Sequence, residues 1–147
     1  KLAGGGSVCA RYYRAEAPAV TDDGYFDTGD IATIDGDGFM LITDRAKDII
    51  KSGGEFISSI DIENAALTHP AVALAAVIAT PNEKWGERPL LIVELKEGQR
   101  ASAEDMIGHL APRLPKHWMP DAVQFVERLP LGATGKLDKK ALRALRT

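Results

Sequence analysis

Two short apolar runs in the first third of the chain, residues 31–34 and 39–43, are separated by Asp35-Gly36-Asp37-Gly38. Because Asp and Gly tolerate the positive backbone angles of a tight turn, this pattern predicts a β-hairpin. Apolar residues within 8–13 predict a further strand before the hairpin. Residues 48–51 predict a short strand after it, which ends near a pair of glycines.

The middle of the chain changes from a helical to an extended pattern. Ser58 can accept a hydrogen bond from a free amide at the start of a helix, with Asp61 at the third helical position. The apolar runs 71–79 and 90–95 follow and predict two central strands. The polar, proline-bounded stretch 81–89 is expected to be the loop that joins them.

A second helix is predicted after Ser102, again with an aspartate, Asp105, three residues further on. Its buried side is expected to carry Met106, Ile107 and Leu110.

A short strand over 123–126 and a basic helix over 139–146 complete the pattern. The order of these elements predicts an α+β fold in which helices pack on a small mixed sheet. From the length of 147 residues we expect one domain plus an attached segment.

Composition narrows the class of protein. The 147 residues are 45% hydrophobic and 27% charged, with a net charge of −3, as in ordinary globular proteins. The longest apolar stretch, residues 71–79, is well short of the roughly 20 residues that cross a bilayer. We therefore expect no membrane span and, because no secretory signal is visible, a cytoplasmic protein. The absence of an initiator methionine leads us to expect a piece of a longer chain.

Cysteine and histidine give no metal-site signal. Cys9 is the only cysteine, and His69, His109 and His117 share no short ligand spacing. Structural roles are expected for all four residues, and no metal site is predicted on this chain.

Thr28-Gly29-Asp30 stands immediately before the predicted hairpin. A carboxylate held at a turn can accept two hydrogen bonds from neighbouring hydroxyls, which suits the vicinal diol of a ribose. Asp30 could equally cap a turn, and the tripeptide alone does not separate the two interpretations.

Five charged side chains crowd residues 44–51, and Gly53-Gly54 follow them. One interpretation is a solvated loop whose charges pair with one another. The other is a binding edge, because a backbone without Cβ atoms lets a ligand approach closely.

A third glycine-containing segment, residues 129–140, presents Lys136 beside Gly135. Lys136 could be one more surface cation of a basic tail. It could also be a mobile point charge for phosphate or carboxylate oxygens.

Taken together, these three motifs resemble, in order, spacing and flanks, the adenylate-forming superfamily of acyl-CoA synthetases, peptide-synthetase adenylation domains and luciferases. Its members carry Thr-Gly-Asp near the end of a large N-terminal domain, then a charged linker ending in Gly-Gly-Glu, and finally a Pro-x-Thr-x-x-Gly-Lys loop. The resemblance covers nearly the whole chain from about Val8. It implies that residues 1–45 end the large domain and that residues 46–147 form the small mobile domain.

The resemblance implies roles for individual residues of the first two motifs. Asp30 matches the ribose-binding aspartate, and Arg45 matches the arginine that contacts ribose or phosphate. Lys47 falls on the hinge about which the small domain rotates between two half-reactions. Gly53 and Gly54 match the backbone that lines the pantetheine tunnel of the thioester-forming orientation.

Lys136 matches the lysine that adenylation requires, and residues 85–89 match a common acyl-CoA synthetase loop that we interpret as structural. Two positions depart from the family pattern. Gly132 stands where most relatives carry Ser or Thr, which bears on how firmly the Lys136 loop is held. Met119 stands where many relatives carry a basic residue that meets coenzyme A. Trp118 beside it could stack on adenine or pack as core.

The activity implied is that of an AMP-forming acid–thiol ligase. A carboxylate displaces pyrophosphate from ATP, and Lys136 neutralises the charge that develops while Mg²⁺ clamps the pyrophosphate. Rotation about Lys47 then withdraws Lys136 and brings the Gly53-Gly54 edge to the reacting centre. Coenzyme A thiol attacks the acyl-adenylate, and AMP leaves. The implied substrates are a carboxylic acid, ATP and coenzyme A, and the implied partner is the large N-terminal domain.

Residues 53–64 look most like medium- and long-chain fatty acid or methylmercaptopropionate CoA ligases. The chain cannot choose the acid, because the acyl pocket and phosphate loop belong to the large domain, and without that domain we expect it to be inactive. One alternative is an adenylation domain that loads a carrier protein. Another is a non-catalytic module whose basic tail, residues 136–146, contacts nucleic acid, but the net acidity argues against a nucleic-acid partner.

Overall fold

The computed structural model describes residues 2–3, 9, 11–14 and 16–144. The chain divides into two compact units, which we call unit 1, residues 1–47, and unit 2, residues 48–147. That unit 1 is the end of a larger domain stays a prediction.

Unit 1 consists of two antiparallel strand pairs. The strands are β1 (Leu2–Ala3), which pairs with β2 (Tyr25–Phe26), and β3 (Asp30–Ile34), which pairs with β4 (Met40–Arg45). The predicted hairpin is therefore confirmed. Asp35 closes its turn, because Oδ1 accepts hydrogen bonds from the N–H groups of Asp37 at 3.0 Å and Phe39 at 2.9 Å.

The strand predicted for residues 8–13 is wrong as far as the structure describes it. Cys9 and residues 11–13 lie in no strand, and residues 8 and 10 lie outside the described residues. The partner strands β1 and β2 have two residues each, which is too short for a periodic pattern in the sequence.

Unit 2 is a five-stranded mixed sheet with helices, and this confirms the predicted α+β fold. Its strands are β5 (Ile50–Ser52), β6 (Glu55–Ile57), β7 (Val72–Asn82), β8 (Gly86–Leu95) and β9 (Ala122–Val126). Its helices are α1 (Ser59–Leu67), α2 (Ala103–Leu110), α3 (Lys139–Ala144) and a 3₁₀ helix (Lys116–Trp118). The sheet order is β6-β5-β8-β7. Strand β9 runs parallel to β8, and the other pairs are antiparallel.

Both faces of this sheet are covered, because alternate residues of the central strands point to opposite sides. Val77 of β7 and Leu91 of β8 belong to a buried cluster with residues of α1 and α2. Ile78 and Leu90, one residue away along each strand, belong to a second cluster that includes Leu142 of α3. Two buried faces explain why both strands read as continuous apolar runs.

The two helix starts predicted from capping residues are confirmed. Ser58 accepts a hydrogen bond from the Asp61 N–H at 3.2 Å and begins α1. Ser102 and Asp105 form a reciprocal capping box at the start of α2. Ile107, which was expected to be buried, is only half-buried. Of the predicted terminal helix, residues 145 and 146 lie outside the described part of the chain.

The loop predicted over residues 81–89 is wrong. Strands β7 and β8 form a long hairpin whose pairing continues to Asn82 and Gly86. The prolines at 81 and 89, which usually end or avoid a ladder, had suggested a break, yet both lie within it. Strand β6 was also not predicted, since three residues after a glycine pair give no periodic signal. None of the described helices is long and apolar enough to cross a membrane.

Candidate functional sites in the two units

The Thr28-Gly29-Asp30 motif and Arg45 come together at the base of the β3–β4 hairpin. Asp30 and Arg45 are cross-strand partners, and Arg45 Nε lies 3.0 Å from Asp30 Oδ1. Arg45 Nη1 also donates to the Thr28 carbonyl at 3.1 Å. Arg45 is exposed and Asp30 is partly buried, and a surface ion pair of this kind contributes only about 0–1 kcal/mol to stability. Its main consequence is that Arg45 orients the Asp30 carboxylate.

The backbone of the same motif forms a local turn. Gly29 has a φ of +69°, and its N–H donates to Asp27 Oδ1 at 2.9 Å. The Asp30 N–H donates to Thr28 Oγ1 at 3.2 Å. The turn is thus held by the side chains of Asp27 and Thr28, while Arg45 engages the Asp30 carboxylate.

Lys47, the predicted hinge, is exposed and is the last residue of unit 1. The chain is anchored directly after it, because Asp48 Oδ1 lies 2.6 Å from Arg143 Nη2 of α3. The Asp48 side chain is 11% exposed.

Gly53 and Gly54 form the two-residue turn between β5 and β6. Ser52 and Glu55 are the last paired residues, and the two glycines have φ values of +59° and +88°. Positive φ at both central positions is the requirement of a type I′ turn, which glycine meets without strain. The backbone conformation therefore explains why glycine occupies both positions.

The two glycines differ in their surroundings. A Cβ on Gly53 would lie 2.7 Å from Trp85 Cε3, whereas a Cβ on Gly54 would meet nothing within 4 Å. The Gly53 N–H also donates to the Trp85 carbonyl at 2.8 Å. Gly53 therefore packs so closely on the Trp85 indole that it has no room for a side chain, whereas the space beside Gly54 is free.

Beside this turn lies a cavity of about 290 Å³. It is lined by polar, charged and aromatic residues: Ser52, Gly53, Glu55, Ile57, Trp85, Arg88, His117 and Asp121. None of the sequence motifs predicted this cavity as a whole, although Gly53 was a candidate residue.

Arg88 connects the walls of the cavity. Its guanidinium donates to Asp121 Oδ1 at 2.8 Å, to Ser52 Oγ at 3.1 Å and to the carbonyls of His117 and Met119, each at 2.8 Å. The side chain is only 13% exposed. A planar guanidinium with several fixed donors is suited to such cross-linking.

Aromatic and ionic groups form the rim of the cavity. His117 Nε2 lies 2.8 Å from Glu55 Oε2, and both side chains are exposed. Lys84 Nζ lies 4.7 Å from the centre of the Trp85 ring. Trp118, the predicted adenine-stacking candidate, is half-buried and packs on the core cluster of α1 and α2. Trp85 and His117 line the cavity instead.

Lys136 lies on a closed turn and is exposed. The turn is held by an isolated bridge between Leu131 and Leu137 and by a hydrogen bond from the Gly132 N–H to the Lys136 carbonyl at 2.8 Å. Among the described residues, none forms an ion pair with the Lys136 side chain. The ammonium group is therefore available to an anionic ligand.

Directly after this turn, Lys139 is almost buried. Its Nζ lies 2.7 Å from Glu63 Oε1 and donates to Ser59 Oγ at 2.8 Å. The same Glu63 oxygen accepts the Val77 N–H at 2.7 Å. The sequence had grouped Lys139 with a basic tail. A lysine in the first turn of a helix, where the dipole disfavours a cation, was the available signal.

His69 and His109, for which structural roles were expected, contact each other. The rings of His69 and His109 meet edge to face, with centroids 4.9 Å apart. Burial lowers the pKa of His109, and the nearby Arg113 and His69 lower it further. Hydrogen bonds from Ser102 lower the pKa of Asp105 at the start of α2. None of these residues belongs to the motifs or to the cavity.

The described part of the chain was expected to hold no metal site, and its potential ligands do not cluster. No group of three or more His, Cys, Asp or Glu side chains there could hold a metal ion.

Comparison with known proteins gives a consistent result. A family model described as the AMP-binding enzyme C-terminal domain matches residues 61–136, which is 76 of the 147 residues. The chain is 48% identical over 136 residues to a 3-methylmercaptopropionyl-CoA ligase of Ruegeria pomeroyi, which covers 92% of the chain and 25% of that ligase. It is 46% identical over 142 residues to a medium-chain-fatty-acid–CoA ligase of Ectopseudomonas oleovorans, covering 97% and 26%.

A solved structure shares the fold. The o-succinylbenzoate CoA synthetase (MenE) from Bacillus subtilis, in complex with its acyl-adenylate intermediate, matches with a TM-score of 0.80 and 35% identity. The match covers 88% of this chain and 27% of that one. The chain thus spans about a quarter of the length of the curated relatives it matches.

Proposed function

The chain belongs to the AMP-binding enzyme C-terminal domain family, and from this premise we propose that it is the C-terminal part of an AMP-forming acyl-CoA synthetase. The whole enzyme would convert a carboxylic acid, ATP and coenzyme A into an acyl-CoA, AMP and pyrophosphate. The observation that carries the proposal is the exposed Lys136 on a closed turn. Such a cation can stabilise the charge that develops between a carboxylate and the α-phosphate.

The Gly53-Gly54 turn supports the second half-reaction. Its open backbone at Gly54 leaves room for the pantetheine arm. The neighbouring cavity offers the partly exposed indole of Trp85, which suits the adenine end of coenzyme A better than the packed Trp118. Lys136 would serve adenylation and this turn thioester formation, with Lys47 as the pivot between them.

Unit 1 supports the proposal of a larger enzyme. The hairpin exposes large apolar side chains, and they are Ile34, Phe39, Met40, Leu41 and Ile42, each at least 54% exposed. A cluster of this kind is typical of a surface that another part of a protein covers. We infer that the rest of the large domain covers it, and that Asp30 and Arg45 contact the ribose of ATP at its edge.

The acid is proposed only by class. The relatives act, by their names, on 3-methylmercaptopropionate and on medium- and long-chain fatty acids. We expect an acid with a mainly apolar chain. Binding of nucleic acid by the basic C-terminal segment is disfavoured, because Lys139 and Arg143 are each in an ion pair.

The test uses the full-length enzyme. ATP–pyrophosphate exchange and acyl-CoA formation should be measured with methylmercaptopropionate, octanoate and palmitate, and Lys136→Ala provides the control for exchange. Activity with free coenzyme A supports the proposal. Exchange without acyl-CoA formation, together with acylation of a pantetheine carrier protein, would identify a carrier-loading adenylation domain instead.

A further inference from the structure

The least expected interaction in unit 2 is the ion pair between Lys139 and Glu63. The side chains are 12% and 11% exposed, and Ser59, which accepts the third contact, is fully buried. Removing two charges from water is costly, and an ion pair regains that cost only with good geometry and further hydrogen bonds. Here both conditions are met, at distances of 2.7–2.8 Å.

The pair joins three elements at the edge of the sheet. Glu63 belongs to α1, Lys139 begins α3, and Val77 lies on β7. Strand β7 is an edge strand in the order β6-β5-β8-β7, so the outward N–H of Val77 needs a partner other than a strand. Glu63 Oε1 accepts that N–H and the Lys139 ammonium together.

A short covalent path leads from this anchor to Lys136. The Asp138 N–H donates to the Pro130 carbonyl at 2.9 Å and ties the two sides of the Lys136 turn together. Asp138 Oδ1 then accepts the Ala141 N–H at 3.0 Å at the start of α3. At the other end of the turn, the buried Leu129 donates its N–H to Glu94 Oε2 at 2.7 Å.

We propose that Lys139 is a positioning residue for the adenylation step, acting through the backbone of the turn that presents Lys136; this inference rests on the proposed function. The Lys136 side chain is long and exposed, so the position of its Cα depends on the two stems of its turn. The Lys139–Glu63 pair fixes one stem to the sheet. A displacement of about 1 Å of a group that must meet developing charge can cost about 100-fold in rate.

The experiment compares variants of the full-length enzyme. Lys139→Met removes the charge but keeps a side chain of similar length. Glu63→Gln keeps an oxygen for the Val77 N–H and removes the opposite charge. Lys139→Arg keeps the cation, and Lys140→Met changes the exposed neighbouring lysine as the matched control. Each variant is assayed for ATP–pyrophosphate exchange and, separately, for thioester formation from synthetic acyl-adenylate and coenzyme A.

Lys139→Met should slow exchange by about 10- to 100-fold and change thioester formation from the adenylate by less than about 3-fold. Glu63→Gln should act in the same direction but less strongly. Lys139→Arg should recover most of the exchange rate, and Lys140→Met should match wild type.

Equal loss of both half-reactions in Lys139→Met and Glu63→Gln would show a merely structural pair and overturn the inference. Exchange at the wild-type rate in a folded Lys139→Met enzyme would also overturn it. If the wild-type enzyme catalyses neither half-reaction, the proposed function fails, and the inference falls with it. An active wild type with unaffected variants refutes the inference alone.

Discussion

The Gly53-Gly54 turn and the Lys136 turn both contain glycine and both lie at the surface of unit 2, but they are built differently. The first is packed: Gly53 meets the Trp85 indole, and its neighbour Ser52 is buried and bonded to Arg88. The second is open: a Cβ on Gly135 would meet nothing within 4 Å, and Lys136 is exposed.

The difference indicates what each turn supplies. A packed turn beside a cavity provides a rigid wall against which a ligand can bind. Its backbone cannot move without displacing Trp85. An open turn on fixed stems supplies a charge on a flexible side chain. Under the proposed function, an added side chain at Gly53 should lower stability and one at Gly54 should impair thioester formation, whereas loss of the Lys136 side chain should impair adenylation and leave stability almost unchanged.

The largest effect is expected for Lys136→Ala in the full-length enzyme. Loss of one charge-stabilising donor should slow ATP–pyrophosphate exchange by about 10²- to 10³-fold. Thermal stability should not change, because the side chain is exposed. Thioester formation from synthetic acyl-adenylate should continue. Equal impairment of both half-reactions would contradict the separation of the two turns.

Gly53→Ala should be the most destabilising change at the packed turn. A positive φ costs an L-residue about 1–2 kcal/mol, and the clash with Trp85 Cε3 at 2.7 Å adds an overpacking cost of about 1–3 kcal/mol. Gly54→Ala carries only the first cost. Urea unfolding can be followed by the fluorescence of Trp85 and Trp118, which are the only tryptophans and both lie in unit 2. Equal destabilisation by the two variants would mean that Trp85 yields without cost.

Gly54→Asn tests whether the turn binds coenzyme A separately from whether it stabilises the fold. Asn tolerates positive φ better than most residues, and nothing lies within 4 Å of the added Cβ, so stability should fall by no more than about 1–2 kcal/mol, which is what a positive φ costs an L-residue. If pantetheine passes this backbone, the KM for coenzyme A should rise by about 10-fold while exchange stays at the wild-type rate. The order of magnitude follows from about 1.4 kcal/mol of lost contact. An unchanged KM would place the pantetheine elsewhere.

Local signals in the sequence predicted much of the fold. Ser58 and Ser102 marked helix starts because capping depends on neighbouring residues alone. Asp35 to Gly38 marked the hairpin for the same reason. The strand extensions of β7 and β8 were missed because their stability comes from pairing across the sheet, which overrides the local preference of Pro81 and Pro89.

The candidate site residues also divide into those marked by a local sequence motif and those that depend on distant partners. Asp30, Lys136 and the two glycines stand in motifs that are contiguous in sequence, so the sequence could propose them as candidates, and their roles stay predictions. The sequence analysis placed Arg88 only in a structural loop and Lys139 only in a basic tail, because their partners, Asp121 for Arg88 and Glu63 for Lys139, lie far along the chain. The two pairs are separated by 33 and 76 residues along the sequence, so no local sequence pattern connects the partners.

The smallest effect is expected at Gly132, the position that the resemblance led us to expect to be Ser or Thr. The nearest atom to an added Cβ is the Lys136 carbonyl oxygen at 3.6 Å, an ordinary contact, and Gly132 has no positive φ. Gly132→Ser should therefore stabilise unit 2 by about 0.4–1 kcal/mol, because it restricts the unfolded chain at a compatible position. Exchange should remain within about 2-fold of wild type, since the Gly132 N–H bond to the Lys136 carbonyl is kept. Gly135→Ser, at a φ of +75°, is the matched opposite and should destabilise by about 1–2 kcal/mol. A clear gain in exchange from Gly132→Ser would show that the turn is held too loosely in this chain, and that its stems alone do not fix Lys136.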